Sequence, residues 1–328
     1  MIDRENGTAR AIVYTAPGAA EIRKVALPPF AEGMVEVRMR HSALSRGTER
    51  LVFEGRIPES EHTRMRAPFQ EGDFPFPVKY GYAAVGTVER GPADLLGRDV
   101  FALFPHQTRA RLPAEAVVAL PEGVPPARAV LGANAETALN AIWDAGLRPG
   151  ARVLVVGAGL LGCLIAAFLS HRTDMHVTVC DPLAERADTL SDFPVTVLRP
   201  GEEGTGHDVA FHTSATGAGL STALGALAFE GRVIELSWYG DRPVEVPLGG
   251  PFHSQRLAIV SSQVGHVAPA RRASTSRRDR LRVALSRLDD PRIESFLTGH
   301  VPFEAVPDAL PRLLAPDAPG IATRLDYP

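Results

Sequence analysis

Three glycines in the stretch VLVVGAGLLG carry the clearest chemistry in the chain. Gly157, Gly159 and Gly162 fall in G-x-G-x-x-G spacing directly after an apolar, strand-like run, with Leu160 and Leu161 between the second and third. Each glycine has a physical use in holding a dinucleotide. The first makes a tight turn, the second lets the backbone approach a pyrophosphate, and the third lets a helix pack close to the strand. The helix that follows offers unpaired N–H groups and the positive end of its dipole to the phosphates. Asp181 ends the next apolar run, roughly twenty residues on, where a carboxylate can take ribose hydroxyls. A carboxylate there repels the 2′-phosphate of NADP(H), so NAD(H) is favoured. Arg186 follows closely and offers such a phosphate a contact, so NADP(H) stays open. No Lys-Ser/Thr follows the glycines, which excludes a P-loop.

The elements that must position this loop follow from periodicity. From Ala151 onward, apolar runs alternate with helical stretches: RVLVVGAG, HVTVCD, HDVAFHTSA, GRVIELSWYG and LAIVSSQVG as strands, LLGCLIAAFLSH, PLAERADTLS and GAGLSTALGALA as helices. That alternation predicts a parallel sheet with helices on both faces, a doubly wound α/β fold. Ligands of such sheets lie outside the carboxyl ends of the strands. Those ends carry Ser214, Ala215 and Thr216, then Leu236, Ser237, Trp238 and Tyr239, then Ser262. Together they define a candidate nicotinamide end, with Trp238, Tyr239 and the nearby His253 as candidates for a substrate pocket. A stretch from about Ala127 to Ala145 reads as helix, and a tail helix, SRRDRLRVALSRL, precedes a final strand in GIATRLDYP.

Residues 10–120 differ in character. Short alternating segments broken by Gly and Pro predict a β-rich domain. Between Gly55 and Val78 a long Pro- and charge-rich segment without period predicts either a lid or an exposed insertion with a short helix near Glu59–Arg66. The domain limits expected are residues 1–125 with 290–328 for the β-rich domain and 126–289 for the dinucleotide-binding domain. The chain has 328 residues, 45% hydrophobic and 22% charged, with a formal net charge of −3. That balance gives no electrostatic case for nucleic acid or an anionic membrane as partner. Two cysteines, Cys163 and Cys180, form neither a disulfide framework nor a C-x-x-C pair. The start, MIDRENGTAR, has no apolar signal region, and no run reaches the ~18 residues of a membrane span. A soluble cytoplasmic protein is expected.

The order of domains and the segments SALSRGTE, VKYGYAAVGTV, GRDVFAL, LPEGVP, VLVVGAGLLG and GRVIELSWYG resemble the medium-chain dehydrogenase/reductase superfamily over nearly the whole chain. The resemblance implies a GroES-like catalytic domain beside a Rossmann domain, an active site in the cleft between them, hydride transfer with NAD(P) on a small molecule, and a homodimer. It also implies a catalytic zinc in the alcohol dehydrogenase branch, and there this sequence departs. Ser45 stands where SALSRGTE matches the cysteine ligand, Tyr82 stands for the histidine of Gly-His-Glu with Ala83 for its acid, and only Glu136, in NAETALNAI, matches a ligand type. A hydroxyl and a phenol are poor zinc ligands beside thiolate and imidazole, so no zinc is expected.

Without the metal, Tyr82 is the leading proton donor to a carbonyl oxygen. An unperturbed phenol, with pKa ~10, stays protonated at neutral pH. Glu136 is expected to orient or reprotonate it, and Ser45 and Thr48 to offer hydroxyls from the facing turn, with Glu49 as a relay or a structural pair. Tyr82 as a core aromatic, Glu136 paired with an arginine, and Ser45 and Thr48 as turn caps are the structural alternatives. His106, after a strand in FPHQTRA, is a candidate lining residue. The arginine-rich segment ARRASTSRRDR reads as a solvated loop or as a receiver of phosphate or carboxylate. The expected function is a zinc-independent NAD(P)-dependent oxidoreductase acting on a carbonyl or conjugated C=C/C=N group. The alternatives are a quinone/enone reductase and a non-catalytic dinucleotide-binding sensor or structural protein.

Overall fold

The computed structural model describes residues 7–328. The first six residues of the MIDRENGTAR start and the side chains of Ala184 and Ala187 lie outside the described residues. The chain forms two compact units, one made of the chain up to Ala133 with Leu297–Pro328, the other of Asn134–Phe296.

The second unit is built on a six-stranded sheet in the order Thr196–Leu198, His176–Cys180, Arg152–Val156, His207–His212, Leu227–Glu235, Ala258–Ser261. Every neighbouring pair is parallel. Val153, Leu154, Val155 and Val156 are all buried, because a parallel strand covered by helices on both faces has no polar side. The helix Leu160–Ser170 is buried continuously from Gly162 to Leu169, which accounts for its lack of a polar stripe. The chain enters the sheet at Arg152–Val156 and places its next strand on one side and His207–His212 on the other. The crevice that such a reversal opens lies at the carboxyl ends, above Gly157.

Two details of this unit differ from the sequence expectation. The helix expected over PLAERADTLS is the single turn and a half of Ala184–Asp188, since Thr189, Ser191 and Asp192 favour turns and Pro194 follows. A three-residue strand, Thr196–Leu198, then pairs with Thr178–Cys180. It is too short to show a period.

The first unit contains the strand order Leu297–Pro302, Ala322–Asp326, Met34–Leu44, Ala84–Arg90, Asp99–Ala102, Val117–Ala119, with Arg109–Pro113 paired to Met34–Leu44, and a four-stranded sheet led by Thr8–Ala16 and Ala19–Ala26. Val35, Val37 and Met39 point inward against Val88, Val100, Leu112 and Val117, while Arg38 and Arg40 on the same strand are exposed, the two-residue period of a half-buried strand. The long Pro-rich segment carries a short 3₁₀ turn at Glu59–Glu61 and a two-residue strand at Glu71–Gly72. After Leu44 the chain turns into the helix Arg46–Phe53, with Ser45 as its N-cap. SALSRGTE is therefore a strand end, a cap and a first helical turn.

Candidate functional site

In the first unit that helix turn brings three of the expected residues together. The hydroxyls of Ser45 and Thr48 hydrogen-bond the Tyr82 phenol. Tyr82 follows Gly81, whose φ of +114° suits glycine and whose missing side chain leaves room for His106, 2.8 Å from where a Cβ would stand. Its ring meets Tyr80 edge-on at 5.9 Å. Burial pushes the phenol up to about 12, and the nearby Glu49 carboxylate adds to this against the hydrogen bonds from Ser45 and Thr48. The group therefore holds its proton across the physiological range and can act as a hydrogen-bond donor or acid.

Behind the phenol lies a network that sequence reasoning assembled only in part. Glu49 is fully buried. Its Oε1 accepts from the Ser45 backbone N–H at 2.7 Å, and its Oε2 accepts from the Tyr14 hydroxyl and from His106 Nε2, both at 2.9 Å. His106 Nδ1 lies 2.8 Å from Ser42 Oγ, and Ser42 Oγ lies 2.9 Å from the Tyr327 hydroxyl. A carboxylate opposite Nε2 fixes the proton there, so in the neutral ring Nδ1 accepts from Ser42. Burial alone would raise the Glu49 carboxyl, but His106, the Ser45 N–H and the Tyr14 hydroxyl outweigh it and hold it below the ordinary carboxylate value. His106 is thus not a pocket-lining residue as expected: it is fully buried, with both ring nitrogens engaged.

Glu136 belongs to the other unit and is committed elsewhere. Arg280 Nε and Nη2 donate to its Oε1 at 3.0 and 2.9 Å. The expectation that it orients the phenol gives way to the arginine-paired alternative, because a buried carboxylate needs a partner and Arg280 supplies it. The resemblance implies a zinc held by these positions, but the residues present do not fit one. Ser45 and Tyr82 hydrogen-bond each other, Glu136 is ion-paired, and the described residues contain no cluster of three or more His, Cys, Asp or Glu side chains suited to a metal.

A dinucleotide fits better. A Cβ on Gly162 would stand 1.9 Å from Gly157 O, so the helix can pack on the turn only through glycine. Gly157 has a φ of +106°, and a Cβ on Gly159 would meet nothing within 4 Å. That last position leaves room for a pyrophosphate to approach the backbone, at the N-terminus of Leu160–Ser170, which has no side-chain cap. Asp181 closes this cradle from the second strand. Its Oδ2 accepts from Ala158 N at 2.7 Å and Arg186 Nη1 at 3.1 Å, and its Oδ1 accepts from Leu183 N at 2.9 Å.

The carboxyl ends of the next two strands carry a second cluster. His212 and Glu235 are register partners on adjacent parallel strands. His212 Nδ1 lies 2.8 Å from Glu235 Oε2, and His212 Nε2 lies 2.7 Å from Ser214 Oγ. Ser214 Oγ meets Thr216 Oγ1 at 3.0 Å, Ser237 N donates to Glu235 Oε1 at 2.7 Å, and Ala215 N donates to Ser237 Oγ at 3.0 Å. The Tyr239 hydroxyl donates to Glu235 Oε2 at 3.2 Å. Ala215, Thr216, Tyr239, Arg242 and Glu245 border a cavity of about 530 Å³. Ser214, Ala215, Thr216, Ser237 and Tyr239 were expected here. His212 and Glu235 were missed, although both end apolar strands at equivalent places. Leu236 follows the end of the strand, its N–H bonded to His212 O, and Trp238 is half-buried. His253 is exposed. Ser262, expected at the cofactor, is instead buried with its hydroxyl donated to Asp144 at 2.7 Å.

Comparison with solved structures places this architecture. A short chain alcohol dehydrogenase of Escherichia coli CFT073, complexed with cofactor NADH, matches 98% of this chain and 99% of its own at 17% identity and a TM-score of 0.77. L-idonate 5-dehydrogenase of Escherichia coli K-12 matches 98% and 99% at 14% identity and a TM-score of 0.80. The chain has the medium-chain dehydrogenase/reductase fold. A protein of Sinorhizobium meliloti 1021 bound to NADP shares it, with a TM-score of 0.77 at 14% identity over 98% of this chain and 99% of that one. Among curated proteins, D-guloside 3-dehydrogenase of Escherichia coli K12 is 26% identical over 282 residues, 77% of this chain and 80% of the relative. No family model matches. Among the described residues no helix is long and apolar enough to cross a membrane.

Proposed function

We propose that this chain is an NAD(P)-dependent medium-chain oxidoreductase that interconverts a hydroxyl and a carbonyl group on a small molecule without zinc. The observation that carries the reading is the Gly157–Gly162 cradle, open at Gly159 and tied to Asp181 through Ala158 N. Gly157, Gly159, Leu160, Leu161, Gly162, Asp181 and Arg186 would hold the adenosine diphosphate half, and Ser214, Ala215, Thr216, Leu236 and Ser237 the nicotinamide half. The bound nicotinamide supplies hydride transfer. The chain supplies the proton and the orientation. Ser45 and Thr48 fix the Tyr82 phenol, whose raised pKa keeps the O–H available to a carbonyl oxygen, and Thr48 and Ser45 offer the hydrogen-bonded path that returns the proton. Glu49, locked by His106, Tyr14 and Ser45, supports that turn from behind.

The partial identity to D-guloside 3-dehydrogenase favours a secondary hydroxyl of a sugar derivative over a quinone or an enone. Asp181 favours NAD(H). A homodimer belongs to the same reading. Ala258–Ser261 is an outer strand of its sheet with all four residues exposed, Ile259 and Val260 among them, and such an edge is a template for a second copy.

The test is direct. The purified chain is titrated with NADH and NADPH, assayed with NAD⁺ or NADP⁺ against glycosides and with NADH or NADPH against ketones, quinones and enones, and analysed for metal. Tight NADH binding with turnover of a glycoside, at well under one zinc per chain, is the expected outcome. Failure to bind either dinucleotide would remove the reading, and activity that needs stoichiometric zinc would remove its metal-free half.

A further inference from the structure

We propose that His212, clamped between Glu235 and Ser214, makes this chain discriminate between the oxidised and reduced forms of its nicotinamide dinucleotide in a proton-dependent way. The inference rests on the dinucleotide reading above and concerns His212 and Glu235, which that reading leaves without a role. His212 is fully buried at the carboxyl end of its strand, with Glu235 at 2.8 and 3.0 Å from Nδ1 and Ser214 Oγ at 2.7 Å from Nε2. Ser214 is partly exposed and sits against the Gly-rich turn: a Cβ on Gly157 would come within 2.9 Å of Ser214 N. A Cβ on Gly219, in the first turn of the helix Gly217–Gly225, would come within 2.1 Å of Ser214 Oγ and 2.9 Å of His212 Nε2. The Ser–His pair therefore fits beneath that helix only because residue 219 has no side chain.

The geometry has two proton states. With the ring neutral, the Glu235 carboxylate holds the Nδ1 proton, Nε2 accepts the Ser214 hydroxyl proton, and the Ser214 oxygen turns its lone pairs outward. The Glu235–His212 pair then carries one negative charge. With the ring protonated, Nε2–H donates to Ser214 Oγ, the Ser214 hydroxyl donates outward, and the pair is neutral. Histidine is the side chain that changes charge in the near-neutral range. The other groups facing it are few. Tyr239 lies 3.4 Å from Nδ1, and burial and Glu235 push its phenol above the ordinary range, so it stays neutral. Ser237 Oγ lies 3.4 Å away, Arg242 acts on Tyr239, and the adjoining helix presents Gly219. The oxidised nicotinamide ring is cationic and the reduced ring is not, so the negative pair favours the oxidised form, and protonating His212 removes that preference.

The test is equilibrium binding of the intact chain to NAD⁺ and to NADH between pH 5.5 and 8. The ratio of the two dissociation constants, oxidised over reduced, is expected to rise roughly five- to tenfold as pH falls. His212→Asn, which keeps a donor for Glu235 but cannot gain the proton, should flatten it. Glu235→Gln should give the wild-type low-pH ratio already at pH 8. A flat ratio in the wild-type chain, which needs no variant to fold, overturns the proposal while leaving dinucleotide binding standing. An unchanged pH dependence in His212→Asn overturns it too, and failure to bind either form takes both readings down together.

Discussion

Arg280 donates from Nε and Nη2 to one oxygen of Glu136, and its remaining N–H groups reach Asn140 Oδ1 at 2.6 Å and the backbone carbonyls of Val264 and His266, at 2.5 and 3.0 Å. The side chains are 1% and 5% exposed. A guanidinium this deeply buried is tolerable only while the carboxylate is present, and removing one partner of such a pair costs about 3–5 kcal/mol. Glu136→Ala should therefore lower the unfolding free energy by that amount in urea titration, with Glu136→Gln less damaging because an acceptor remains. A Glu136→Ala protein of native stability that has lost turnover would instead return Glu136 to the chemistry.

Tyr82→Phe separates the two roles open to that ring. The phenyl keeps the edge-on contact with Tyr80 and loses only the hydroxyl shared with Ser45 and Thr48. If the phenol gives its proton to the substrate, kcat falls by about 10²–10⁴ with the dinucleotide dissociation constant unchanged. With a phenol near 12, the rate of carbonyl reduction should show no alkaline loss attributable to Tyr82 below about pH 10. Unaltered kcat in Tyr82→Phe would assign the ring to packing.

Glu49 makes stability sensitive to acid. Its carboxyl is held below the ordinary value in the folded chain, against the cost of burial, by His106, Ser45 and Tyr14. A depressed acid stabilises above its unfolded pKa of ~4.3, and that contribution is lost as pH falls through the lower folded value. Wild-type and Glu49→Gln proteins should thus differ most in unfolding free energy above about pH 5 and converge toward pH 3. A difference independent of pH across that window would show that the carboxylate charge is not what the network holds.

The exposed strand Ala258–Ser261 gives a test of assembly. Ile259→Lys places a charge on a sheet edge without touching the interior, since Ile259 is 37% exposed. Sedimentation of the wild type as a dimer and of the variant as a monomer is the expected pair of results. A monomeric wild type removes the homodimer.

What the sequence disclosed and what it hid divide along sequence distance. The turn at Gly157 and the helix packing at Gly162 are local steric demands that only glycine meets, so spacing alone reveals them. Alternating apolar runs likewise reveal a parallel sheet, because strands buried on both faces leave no other pattern. The networks are another matter. Glu49 and His106 are 57 residues apart, Ser42 and Tyr327 285, Glu136 and Arg280 144, and each is one polar residue in a segment whose period reports only which face is buried. His212 and Glu235 meet because two strands align in register, a fact that no single segment contains. Ser262 misled because a serine at a strand end reads the same whether it faces a ligand or Asp144.

The contacts of Asp181 with Arg186 give a test of the proposed cofactor preference. Both carboxylate oxygens of Asp181 are engaged, by Ala158 N, Leu183 N and Arg186, and the side chain is 2% exposed. The carboxylate braces the Gly-rich turn and pairs with Arg186; in the proposed reading it also faces the ribose and keeps that arginine from a phosphate. Asp181→Ser removes the repulsion toward a 2′-phosphate and releases Arg186 to bind one. The preference measured as Kd for NADPH over Kd for NADH should therefore shift toward NADPH by about tenfold or more, the scale of one charge-assisted hydrogen bond gained and one repulsion lost. The double variant Asp181→Ser with Arg186→Ala should lose most of that gain, because the phosphate then has no partner. If Asp181→Ser instead weakens both cofactors equally, the brace on Ala158 is the dominant role of the carboxylate, and the preference is set elsewhere.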